Sequence, residues 1–169
     1  MSGEATLGLY LHIPFCRHRC AYCDFNTYST LSELVDAYVD ALRSELREVA
    51  GVSRRPAATV FFGGGTPSLL KAESIRLLID DIKDTFVLKN GAEITIEANP
   101  ETLSWDYLSA VRQAGVNRLS LGVQSADAGE LALLEREHDF ATVVQAVDNG
   151  RAAGFENISL DLIYGLPGQ

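Results

Sequence analysis

Cysteine is scarce in this 169-residue chain: Cys16, Cys20 and Cys23 are the only three. An odd count without an export signal points to a reducing compartment, where a disulfide fits poorly. Long apolar runs are missing too. No stretch approaches the roughly 18 residues of a membrane span. The opening MSGEATLGLYLHIPF has no basic segment and only a short apolar run, so no secretory signal is read there. The expectation is a cytoplasmic protein with no transmembrane segment. Basic residues are few, 14 Lys and Arg against 23 Asp and Glu, for a net charge of −9. That argues against nucleic acid or an anionic membrane as main partner, since both need clustered Lys and Arg. Repeats, low-complexity tracts and interdomain linkers are also lacking. The length suits one domain, and an apolar fraction of 47% supplies a core.

What is present alternates. Strands are expected at 7–13, 58–64, 93–99, 118–124 and 157–163. Helical periodicity covers 30–49, where Leu34, Val35, Tyr38, Val39, Leu42, Leu46 and Val49 share a face and Thr30 with Glu33 makes a capping-box pattern. Further helices are expected over 71–86 and 104–114, with Gly115 at the C′ position. The span 127–153 reads as one short and one longer helix closed by Gly154. Strand and helix in steady alternation predict a parallel sheet, open or closed into a barrel.

The strands are not uniformly apolar. Glu93, Thr95, Glu97 and Asn99 oppose Ile94, Ile96 and Ala98. Arg118, Ser120, Gly122 and Gln124 oppose Leu119, Leu121 and Val123. Apolar faces should pack on helices and polar faces should line a shared interior, which is costly unless solvated or filled by ligand. The competing reading is an antiparallel sheet with one wet side, but long helical connections weigh against it. The expected architecture is a partial TIM-like α/β barrel of about five parallel strands with outer helices. Distinctive residues gather late in the strands, at the carboxyl-end rim where α/β folds build ligand sites. Five strands leave a raw edge, so the chain is expected to be the N-terminal part of a longer barrel.

The cysteine spacing in LHIPFCRHRCAYCDF is C-x3-C-x2-C. Thiolates are soft donors that suit iron–sulfur clusters or zinc. Three sulfurs can hold three irons of a cubane and leave the fourth open to a ligand. Competing readings are zinc completed by His12 or His18, a disulfide with a spare thiol, or unrelated cysteines. Structural zinc sites draw four ligands from two knuckles, and no second knuckle is present. GGGTP, at Gly63 to Pro67, is neither a P-loop nor a dinucleotide fingerprint. It reads as a ligand-contacting turn, against the alternative of a simple tight turn.

CRHRCAYC resembles the cluster motif of the radical S-adenosylmethionine (SAM) superfamily. The flanking YLHIPFC and YCDFN, then FFGGGTPSLL, IEANPE, LSLGVQS, EREHDF and SLDLIYGLPGQ, resemble oxygen-independent coproporphyrinogen oxidases and the related HemW-type haem chaperones, in order and over essentially the whole chain. The oxidases carry a further cysteine two residues after the third. Phe25 stands there, which is similar to the chaperones.

The resemblance implies a radical SAM barrel of (β/α)6 type, with a [4Fe–4S] cluster on Cys16, Cys20 and Cys23. SAM would chelate the open iron through its amino and carboxylate groups. Reduction by an electron donor would release methionine and a 5′-deoxyadenosyl radical. Other partners it implies are haem or a porphyrinogen and, for a chaperone, a haem-acceptor protein.

The cofactor-binding residues expected on this resemblance are Tyr10, Tyr22, Gly65, Thr66, Glu97, Gln124, Arg136 and Asp161. Each has a plainer alternative. Glu97 is otherwise a wet rim carboxylate, Gln124 a strand-end residue bonded to backbone, and Asp161 half of an ion pair with Arg118. Arg136 is by periodicity a solvated helix-end charge, and Tyr22 simple packing. Tyr10, six residues before Cys16, would lie near the cluster. His12 and His18 are expected to be structural or exposed rather than ligands.

Overall fold

The computed structural model describes residues 5–52 and 55–169. β1 (Leu7–Ile13) leads to α1 (Val35–Val49), β2 (Ala57–Gly64), α2 (Ala72–Thr85), β3 (Leu88–Ala98), α3 (Trp105–Ala114), β4 (Arg118–Gln124), α4 (Ala128–Leu133), α5 (Phe140–Ala152) and β5 (Asn157–Leu162). All four pairings are parallel, and the sheet runs β1-β2-β3-β4-β5 without reversal. Right-handed crossovers in one direction put every helix on the same face of the sheet. The other face is left concave, as in an incomplete barrel.

The helix-side face is the core. Leu11, Ile13, Val60, Phe62, Ile94, Ile96, Leu119, Leu121 and Val123 are buried there, with Ile75, Leu78, Ile79 and Ile82 of α2 and Leu108 and Val111 of α3. On β5 the same face is open: Leu160 is 48% and Leu162 66% exposed.

The concave face is a hydrogen-bonded polar layer. Thr95, fully buried, donates to Glu93 at 3.2 Å and accepts from Arg118 at 3.3 Å. Arg118 also donates to Ser159 at 3.0 Å. Buried polar groups here are partnered, so the floor needs no ligand to be satisfied.

Two local expectations are corrected. Thr30 and Glu33 do not cap α1. A 3-10 turn, Ser32–Leu34, precedes it, and no side chain caps either element. β3 starts five residues earlier than its apolar alternation, because Lys89-Asn90-Gly91 is accommodated inside the strand with a register shift against β2. Ser104 and Gly115 do bracket α3: the Ser104 hydroxyl accepts from the Tyr107 amide, and Gly115 sits at φ +124°.

Candidate functional site

The cysteines lie on a loop after β1 that is pinned at its neck. Phe15 and Tyr28 form a bridge. The Cys16 amide donates to the Tyr28 carbonyl at 3.1 Å, and the Tyr28 amide to the Pro14 carbonyl at 2.7 Å. Buried Phe15 meets the Tyr38 ring edge-on at 5.3 Å. The His12 ring donates to the Asn26 carbonyl at 3.0 Å, so it is structural. His18 is half-exposed beside Glu135.

Gly64 and Gly65 fit the end of β2 against this neck. Gly64 sits at φ +117°, which disfavours any side chain. A Cβ on Gly65 would come within 2.6 Å of the Phe15 carbonyl oxygen and 3.0 Å of the Cys16 sulfur. The Gly65 amide donates to Ile13 and the Thr66 amide to Phe15, at 2.8 and 2.7 Å. The Thr66 hydroxyl reaches the Cys16 sulfur at 3.6 Å.

These elements wall an open cavity of about 670 Å³ at the carboxyl ends of the strands. Cys16, Cys20, Cys23, Tyr22, Gly65, Thr66, Glu97, Gln124, Arg136 and Asp161 all line it. Tyr10 does not. It is 60% exposed, stacks on Phe61 with centroids 6.0 Å apart, and donates to His12 at 3.3 Å.

Arg136 is not the solvated helix-end charge its periodicity suggests. It follows α4 and turns back into the cavity. There it donates to Asn99 Oδ1 at 2.7 Å, the Gly122 carbonyl at 2.8 Å, and the Cys20 sulfur and Tyr22 hydroxyl at 3.5 Å. Its buried Nε has no partner. Asp161 does not pair with Arg118 either. Its oxygens accept from Ser120 at 3.0 and 3.2 Å, and Arg118 faces Glu93 at 3.8 Å. Asp161 is exposed at the open edge strand.

Electrostatics differ across the cavity. Burial pushes the Cys16 thiol up, offset in part by the Thr66 and Thr27 hydroxyls. Burial also raises the Glu97 carboxyl above its usual range. The Gly64 amide, donating to it at 3.1 Å, works against this, and the Asp161 charge adds to it. With its pKa raised by folding, Glu97 favours the folded state below the ordinary carboxylate value. That contribution disappears as pH climbs through the raised one. Ionising Glu97 is thus a cost in the ligand-free protein.

Sequence reasoning missed Asn99, which stood in IEANPE and holds Arg136. It also missed the buried His138 of EREHDF, because a lone histidine carries no pattern.

The profile of the radical SAM superfamily matches residues 10–169. The chain belongs to the radical SAM superfamily. Curated relatives are the haem chaperones HemW of Mycobacterium tuberculosis (46% identical, covering 100% of this chain and 44% of the relative) and Bacillus subtilis (44% identical, 95% and 43%). That of Escherichia coli K12 is 41% identical over 96% of this chain. The chain therefore spans less than half the length of these relatives. Among solved structures, the radical SAM enzyme coproporphyrinogen III oxidase (HemN) of E. coli superposes with a TM-score of 0.89. It is 37% identical over 98% of this chain and 39% of its own.

The superfamily implies a [4Fe–4S] cluster and SAM, and the cavity residues fit both. Three free thiols face one space. Among the described residues, no three His, Cys, Asp or Glu side chains converge as a single ion requires. A cluster instead places each thiolate on its own iron. The Gly65 cradle, the orphaned Arg136 Nε and the carboxylates opposite suit a zwitterionic nucleoside.

Proposed function

We propose that this chain is the cluster- and SAM-binding part of a cytoplasmic haem chaperone, which binds haem and passes it to a haem-requiring protein. Residues 1–169 correspond to the first five strands of the radical SAM core. The observation that carries the reading is the single cavity onto which three thiols, Gly65, Glu97 and Arg136 converge. Its likeness to HemW chaperones is supported by Phe25, which lines the cavity at 66% exposure where the oxidases place another cysteine.

In this reading Cys16, Cys20 and Cys23 hold the cluster. When reduced by a partner electron donor, the cluster supplies one-electron cleavage of SAM. Arg136 offers its free N–H to the SAM carboxylate. Gly65 and Thr66 admit its methionine portion to the backbone. Glu97, Gln124 and Asp161 present acceptors, and Gln124 also a donor, to ammonium and ribose hydroxyls. Tyr22, beside Arg136, lines the cavity from the cluster loop itself, and Tyr10 lies outside it.

Glu97→Gln separates binding from stability. It is expected to weaken SAM binding to the cluster-loaded protein roughly tenfold, as loss of a charged hydrogen-bond partner does. At pH 7 the ligand-free variant should melt no lower than the unaltered protein, because the cost of ionising a buried carboxyl is removed. Calorimetry at pH 7, with anaerobic dialysis against SAM, checks both. A lower melting temperature with undiminished SAM binding would overturn the role.

The alternative is an enzyme that oxidatively decarboxylates coproporphyrinogen III to protoporphyrinogen IX, favoured by the likeness to HemN. Anaerobic incubation of the full-length protein with coproporphyrinogen III, SAM and a reductant decides between them. About one haem bound per chain with no vinyl-bearing product is expected. Turnover to a vinyl product would replace the chaperone with the oxidase.

A further inference from the structure

Behind the cavity wall lies a buried contact between a carboxylate and an imidazole that none of the roles above uses. The His138 side chain is fully buried, and its Nδ1 lies 3.5 Å from Glu101 Oε2, whose side chain is 17% exposed. On the other side of the ring, Nε2 lies 3.0 Å from the Val123 carbonyl oxygen. A carbonyl only accepts, so Nε2 carries a proton. Neither Nδ1 nor Oε2 has a hydrogen-bond partner, so their 3.5 Å approach is a contact rather than a hydrogen bond. Burial alone would raise the Glu101 carboxyl, but His138, its own backbone amide and Arg136 hold it below its usual value. It is a carboxylate facing an imidazole.

The position of this pair gives it meaning. Glu101 lies in the 3-10 turn Pro100–Thr102, two residues after Asn99. Val123 immediately precedes Gln124, a non-glycine residue held at φ 67° at the end of β4. His138 lies two residues after Arg136. The turn after β3, the end of β4 and the turn between α4 and α5 meet at one imidazole, and each carries a cavity-lining side chain one or two residues away. Arg136 already bonds Asn99 and Gly122 inside the cavity, so the pair fixes the same loops from behind.

We propose that Glu101 and His138 form a positioning brace that sets Asn99, Gln124 and Arg136 at the distances SAM requires. The inference rests on the SAM-binding reading of the cavity. The brace touches neither cofactor. It acts by holding the φ of Gln124 and the return of Arg136, as outer partners hold ligands elsewhere.

The test uses full-length, cluster-loaded protein and SAM itself. His138→Gln keeps a donor for the Val123 carbonyl, whereas His138→Asn keeps one facing Glu101 and loses the other. Glu101→Gln removes the charge. SAM dissociation constants are expected to rise about tenfold in each, with unchanged iron and sulfide. The Glu101→Gln/His138→Gln double variant should be no weaker than the poorer single, since both changes remove the same Glu101–His138 contact.

Leu108→Ala, in the core of α3, provides a comparable loss of stability away from the cavity. It should leave SAM affinity unchanged. Equal weakening by Leu108→Ala, or unaltered affinity in Glu101→Gln, would overturn the brace. If the His138 variants do not fold, Glu101→Gln alone decides it. Failure of the unaltered protein to bind SAM would instead remove the cofactor reading and the brace with it.

Discussion

Replacing Cys20 with alanine is expected to strip the full-length protein of its cluster while leaving the barrel folded. Cys20 sits on a loop outside every strand and helix, half-buried, with the Arg136 guanidinium 3.5 Å from its sulfur. The apolar core lies on the other face of the sheet. Substitutions at such positions usually change stability by only about 0.5 kcal/mol. For a cluster the consequence is far larger. With two thiolates left, a second iron corner loses its protein ligand, and the site no longer closes around the cube. Iron and acid-labile sulfide in anaerobically purified protein should fall from about four each per chain to near zero. Far-ultraviolet circular dichroism should be nearly unchanged. Retention of iron and sulfide would remove Cys20 from the ligand set. Loss of both the cluster and the circular dichroism would make the cluster part of the fold rather than its cargo.

How much of this was legible from the residues depends on whether the signal is local. The five strands were, because period-two alternation at Leu119, Leu121 and Val123 against Ser120 and Gly122 reports which face is buried. So was the site rim, since the parallel order brings every strand end to one side. The capping box at Thr30 was not, because its pattern says nothing about whether the chain leaves the cysteine loop early enough to start a helix there. Asn90-Gly91 reads as punctuation, yet pairing with β2 absorbs it as an irregularity inside β3.

Charges were read least well. Asp161 and Arg118 looked like partners by proximity in the expected sheet. The register instead sets Asp161 opposite Gly122, one step beyond Ser120, and Arg118 opposite Asn157. Four residues of strand, about 13 Å, separate those two levels. Arg136 lies past the end of α4, in a turn between two helices, so the solvated face that helical periodicity assigns it does not apply. Only the folded chain turns it inward.

That inward turn makes Arg136 the residue whose replacement tells most about SAM. Arg136→Leu is expected to raise the SAM dissociation constant by roughly tenfold to a hundredfold, the range for losing a hydrogen bond to a charged group. Iron and sulfide should be retained, since its contact with the Cys20 sulfur is long. Arg136→Lys is the sharper variant. The guanidinium reaches Asn99 and Gly122 through one terminal nitrogen and Cys20 and Tyr22 through the other, which leaves Nε for the ligand. An ammonium keeps the charge but offers one point of attachment where a planar fork offers three nitrogens. If Arg136 acts by geometry, lysine should rescue almost none of the lost affinity at physiological salt. If it acts by charge alone, lysine should restore binding. Equilibrium dialysis of SAM against the three cluster-loaded proteins distinguishes these outcomes. Wild-type affinity in Arg136→Leu would mean that the guanidinium only ties the α4–α5 turn to β3 and β4, leaving the SAM carboxylate to other donors.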